Sequence, residues 1–224
     1  VLVAPGQWGA AQGALKSIGF SAQGSATHPA TARASKEMTF LDGAAVVDLH
    51  RRVMNSPPFH DDPDGVLARR VAYSTGAGSI WGPSPEDLLV SLAGNLANDR
   101  FLPRIKLALD ATALLQRGVE LLVAAERARA AGCSGALWAL GRLLAVHRLW
   151  SGPDLAPRPV APMAAWLELL AGIHGEPPRP SSHLVREMLE AWPWSGRWDY
   201  PVVASVRWAG LRAADRAWRL VFRP

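Results

Sequence analysis

Cysteine is almost missing from this sequence: Cys133 stands alone among 224 residues. A lone thiol excludes an intrachain disulfide and a cysteine-based zinc site, and it suits a reducing, cytoplasmic setting. Lysine is nearly as scarce, three of the 24 basic residues, and charged residues make up only 19% of the chain. Long apolar runs are missing too. Asp110, Arg142 and Glu168 interrupt the longest of them, so none reaches the roughly 18 residues a membrane-crossing helix needs. A secretory leader is not expected from the opening residues, although the sequence begins at Val1 without Met and reads as cut at its start.

What is present is a globular composition. Hydrophobic residues are 49% of the chain, and ten tryptophans dominate the aromatics. Gly and Pro are frequent but dispersed, which marks turns rather than low complexity. The net charge is +5 and unevenly spread. Residues 1–110 hold ten basic and ten acidic side chains, whereas residues 111–224 hold fourteen against nine. No basic run is interleaved with aromatics in a nucleic-acid-binding pattern, so a nucleic-acid partner is not expected.

The chain opens as a short strand, VLVAP, followed by a helical stretch, GQWGAAQGALKSIGF, with Trp8, Ala11, Leu15 and Ile18 at helical spacing and Gly19 as its stop. KEMTFL and AAVVDLHRRV flank Asp42-Gly43 and predict a hairpin with a tight primed turn. LARRVAYST reads as a further strand. From residue 84 the texture changes: Ser84 as N-cap, Pro85 at the first helical position and acidic Glu86 and Asp87 start a helix. Helices are expected near 85–98, 103–117, 119–131, 135–150, 162–173, 182–192 and 203–222. The organisation is therefore α+β: an α/β portion over residues 1–83 and a helical portion over residues 84–224.

Chemistry concentrates in GAAVVDLHRRV. On a strand, Val46, Asp48 and His50 share one face while Val47 and Leu49 share the other. A carboxylate on an inner strand is costly unless it is paired, binds a metal or faces a cleft. Asp48 is then a metal ligand or general base with His50 beside it; the alternative is an edge strand with one wet face. HDDPDG lacks the spacing and closing Glu of a calcium loop and reads as a solvated loop. GAGSIWG has neither a dinucleotide fingerprint nor a Walker lysine and reads as a loop or hairpin turn. Lys106 and Asp110 lie one turn apart on an otherwise apolar helix, either as its solvent stripe or with Lys106 reaching a phosphate. His147, His174 and His183 have no metal-ligand spacing. In the last segment Trp208, Leu211, Trp218 and Val221 line one side, and Arg212, Arg216, Arg219 and Arg223 largely another. Such a helix docks on a bundle or lies on an anionic membrane, and docking is the ordinary reading.

Three stretches in order, VLVAPGQWGAAQGALKSIGF, VVDLHRRV and SPEDLLVSLAGNLANDRFLPRIKLALDATALL, resemble the uncharacterised nucleotidyltransferase family of the DNA polymerase β-like superfamily, over roughly residues 1–150. The resemblance implies a mixed β-sheet with a flanking helix, followed by helices. It implies transfer of a nucleoside monophosphate from a nucleoside triphosphate to a hydroxyl acceptor, supported by two Mg2+ ions. Asp48 would be the third of three metal-binding carboxylates and a candidate base, His50 matches the family's Asp-Leu-His strand, and Lys106, with Asp110, would lie at the nucleotide phosphates. The family's Gly-Ser turn and Asp-x-Asp strand would precede Val1, and Asn95 and Asn98 stand where relatives tend to carry histidines. Residues 1–224 by themselves are therefore expected to be inactive. The rival expectations are a non-catalytic binding protein of the same fold and a peripheral membrane protein held by the C-terminal Arg/Trp helix.

Overall fold

The computed structural model describes residues 1–23, 37–54, 60, 62–76, 78–98 and 105–159, with Ala164 and Glu168. The helices expected at 182–192 and 203–222, with His174, His183 and the Arg/Trp tail, lie outside these residues, as does most of 162–173.

An extended N-terminal segment leads through a single 3-10 turn, Pro5–Gln7, into α1, Trp8–Ser17. Proline fits this first turn because its missing N–H has no partner there. Gly19 ends the helix at φ 100°, a conformation that strains L side chains, and the Phe20 N–H closes back on the Leu15 carbonyl at 3.1 Å. Trp8, Ala11 and Leu15 are partly buried, but Ile18 is 67% exposed. The apolar stripe stops early because Ile18 already lies past the last helical residue.

Three antiparallel strands follow: β1, Ser21–Ala22; β2, Glu37–Asp42; and β3, Ala45–His50, in spatial order β1-β2-β3. The expected hairpin forms with its turn one residue later than Asp42-Gly43. Asp42 pairs with Ala45, and Gly43 and Ala44 make the two-residue loop. Gly43 takes φ 55° at the first loop position, where a primed turn demands glycine. Phe40 and Leu49, 0% and 2% exposed, point to the covered face of the sheet.

HDDPDG is a helix start and not a loop. Asp62 caps α2, Pro63–Ala68, by accepting the Gly65 N–H at 2.9 Å. Leu67 and Ala68 therefore belong to a helix, and the strand expected from Leu67 begins only at Val71. It is β4, Val71–Thr75, and GSIWG is its antiparallel partner β5, Gly78–Gly82. Periodicity had little to offer in β5, where two of five residues are glycine. Tyr73 donates its hydroxyl to the Pro83 carbonyl at 2.6 Å, tying this hairpin to the next helix.

The helical portion contains α3, Pro85–Asn98; α4, Ile105–Gln116; α5, Leu121–Ala130; and α6, Ser134–Val146. Helix α3 packs against the other three. The core between them pairs large and small residues: Leu89 and Leu96 of α3, Ala124 and Ala128 of α5, and Leu137, Trp138, Leu140 and Leu144 of α6. Met54, four residues past β3, is buried in the same core, so the sheet's last long strand feeds directly into the bundle. Gly141 is required by the returning chain, since a Cβ there would meet the Leu155 side chain at 2.9 Å. With its small antiparallel strands and its helices the chain is an α+β fold. No helix among the described residues is long and apolar enough to cross a membrane.

Candidate active site

The hairpin register decides what surrounds Asp48. Asp42 and Ala45 close a two-residue loop and so form a hydrogen-bonded pair, after which bonded and non-bonded pairs alternate. Thr39–Asp48 and Glu37–His50 fall on non-bonded rungs, where the Cα atoms come within about 4.5 Å and side chains approach closest. The contacts follow. Thr39 Oγ1 donates to Asp48 Oδ1 at 2.7 Å, and His50 Nδ1 lies 3.1 Å from Glu37 Oε2.

The same rungs turn the backbone groups of Asp48 and His50 away from β2, toward the N-terminal segment. The Val1 amino group donates to the Asp48 carbonyl at 2.7 Å, the His50 N–H to the Val1 carbonyl at 2.6 Å, and the Val3 N–H to the His50 carbonyl at 2.9 Å. Leu2 bridges His50 in parallel sense. Strand β3 is thus flanked on both sides. Its charge is explained by a wet face, since Asp48 is exposed while its neighbour Leu49 is buried. At the end of β3 the Arg51 guanidinium lies over the Trp8 ring, 5.0 Å from its centroid. Burial, then the charge of Arg52, lowers the Arg51 pKa.

Asp48 and His50 are therefore brought together with Thr39, Glu37 and Leu2 on one face. Lys106 and Asp110 lie on α4, where they pair with each other at 2.8 Å. Lys106 is 84% exposed, and an exposed pair one turn apart is worth about 0.3–0.5 kcal/mol.

A second charged cluster escaped sequence reasoning. Ser84 does cap α3, accepting the Asp87 N–H at 3.3 Å, but Asp87 is 5% exposed and engaged by two arginines. Arg69 binds it at 3.1 Å and Arg127 at 3.0 Å, and Arg127 also reaches the Ser84 hydroxyl and Glu86. The hydrogen bond to Asp87 raises the Arg69 pKa. Burial alone would raise Glu86, but its own amide, the Ser84 hydroxyl, the Glu120 amide and Arg127 together hold it below its ordinary value. The acidic first turn was the only sequence signal; the arginines come from 18 residues before and 40 after, distances no local pattern encodes. Cys133 is fully buried and its thiol is pushed up to about 12, so it is no nucleophile. No group of three metal-ligating side chains occurs among the described residues.

A mixed sheet with an acid on its open face, leading into a helical bundle, is the arrangement the sequence resemblance implies. A family model for uncharacterised nucleotidyltransferases matches residues 1–149, two thirds of the chain, and the chain belongs to that family. No curated protein and no solved structure matches it.

Proposed function

We propose that the open face of β3 is the reacting surface of a Mg2+-dependent site that transfers a nucleoside monophosphate from a nucleoside triphosphate to a hydroxyl acceptor. Family membership supports nucleotidyl transfer in general. The observation that carries the finer reading is the parallel run of Val1–Val3 along β3. Side chains alternate along extended backbone. The residue encoded directly before Val1, and the one two places before that, would share the face of Leu2, Asp48 and His50. Acids there would bring three carboxylates onto one surface.

Carboxylate oxygen is the hard ligand Mg2+ takes, usually one or two per ion beside phosphate oxygens and water, and the exposed Asp48 fits one such position. Mg2+ held there would neutralise charge on the phosphates and ease deprotonation of the attacking hydroxyl. The acceptor oxygen bonds to the α-phosphorus as the bond to the bridging oxygen breaks, and pyrophosphate leaves. Asp48 offers an oxygen to this face and accepts the hydroxyl proton, with His50, held by Glu37, alongside. Lys106 exchanges Asp110 for a triphosphate oxygen. A single carboxylate does not hold two divalent cations, so on this reading residues 1–224 alone do not turn over. The buried thiol suits a cytoplasmic setting.

The test is made on the product of the whole reading frame. Pyrophosphate release from a mixture of nucleoside triphosphates with Mg2+ is expected, and Asp48→Asn should abolish it while the circular dichroism spectrum stays unchanged. Retained turnover in that variant removes Asp48 from the mechanism. A reading frame without acids at those two alternate positions would make the chain a ligand-binding member of the family.

A further inference from the structure

Asp48 does not stand free on its face. Its carboxylate has two oxygens, and Oδ1 already accepts the Thr39 hydroxyl at 2.7 Å from the directly opposite rung of β2. A hydroxyl donor on one oxygen fixes the carboxylate plane and draws negative charge to that side, leaving Oδ2 as the oxygen presented to a cation. Thr39 is itself held: it is β-branched, stiff about χ1, partly buried, and placed in a strand whose next residue, Phe40, is 0% exposed. A hydroxyl in so restrained a setting selects one carboxylate orientation at little entropic cost.

From this geometry we infer that Thr39 is a positioning residue, which orients Asp48 as a one-oxygen ligand to the divalent cation. The inference rests on the proposed role of Asp48. Partners that hold a metal-ligating side chain typically change metal affinity by about 10- to 100-fold when removed. Thr39→Val keeps the shape and β-branching of the side chain but deletes the hydroxyl, so the strand is preserved and the carboxylate is released. Thr39→Ser keeps the hydroxyl.

The experiment measures Mn2+ binding to the full-length protein by electron paramagnetic resonance, with folding followed by thermal melting. Thr39→Val is expected to weaken Mn2+ binding by roughly 10-fold or more, Thr39→Ser to restore most of it, and Asp48→Asn to weaken it at least as much as Thr39→Val. Should Thr39→Val fail to fold, Thr39→Ala carries the same comparison. Unchanged Mn2+ affinity in Thr39→Val, with affinity lost in Asp48→Asn, overturns the role of Thr39 and leaves that of Asp48 standing. Unchanged affinity in Asp48→Asn overturns both. Equal loss in Thr39→Val and Thr39→Ser also overturns the inference, because the hydroxyl would then not be what matters.

Discussion

Arg69 grips Asp87 with two parallel hydrogen bonds, Nε to Oδ2 and Nη2 to Oδ1, both 3.1 Å. The fork geometry matches guanidinium to carboxylate and is the stronger form of such a pair. Arg69 follows α2 and Asp87 begins α3, so the contact fastens the short helix and the hairpin after it to the bundle. Arg127 of α5 completes the enclosure from the other side.

Removing Asp87 should therefore be expensive. It is 5% exposed, whereas Arg69 keeps 37% and Arg127 23% of its side chain accessible, so the stranded cations retain some water. Asp87→Ala is expected to lower stability by about 3 kcal/mol, the lower end for breaking a buried pair. Urea unfolding followed by tryptophan fluorescence measures it.

The same cluster gives the protein an acid sensitivity. Glu86 sits below its ordinary 4.5 in the folded state. A depressed carboxylate stabilises the fold above its unfolded value, and that contribution disappears as pH falls through the folded one. Melting temperature should therefore drop, as pH falls below the ordinary glutamate range, more steeply in the native protein than in Glu86→Gln. Parallel curves for the two would remove Glu86 as the cause.

Helix ends offer a substitution of opposite sign. Gly19, Gly118 and Gly132 take positive φ just past α1, α4 and α5, but after α6 the position falls to Arg148, at φ 58°. Its helix closes as α1 and α5 do, with the Leu149 N–H on the Leu144 carbonyl at 2.8 Å. Arg148→Gly relieves a left-handed conformation worth about 1–2 kcal/mol against the added freedom of glycine in the unfolded chain. A net gain of roughly 0.5–1 kcal/mol is expected, read as a raised midpoint in urea. Gly132→Ala should shift it the other way.

Elements with a strong local rule were legible in the sequence. The β2–β3 hairpin announced itself through alternation and a turn dipeptide, and α3 through Ser84, Pro85 and its acids. The register slipped by one because Asp-Gly and Gly-Ala are both acceptable loop pairs, and pairing across the strands chose the second. Asp62 was missed as a cap because the acids and prolines around it also describe a loop, and α2 is only six residues long. At the site, alternation correctly grouped Asp48 with His50. Thr39 and Glu37 were not found, because cross-strand neighbours depend on the register, and the register depends on the turn. Lys106 and Asp110 were read as one stripe, which they are, but their ion pair says nothing about a ligand.

Asp48 and Leu49 are consecutive in sequence and opposite in circumstance. One position is sealed from solvent and answers to packing; the other is open and answers to whatever arrives there. If Asp48 has the role proposed for it, saturation mutagenesis should split these codons into unlike tolerance profiles, abundance tracking residue 49 and catalytic output tracking residue 48. A pair of adjacent codons is thus an internal gauge for telling damaged folding from damaged chemistry.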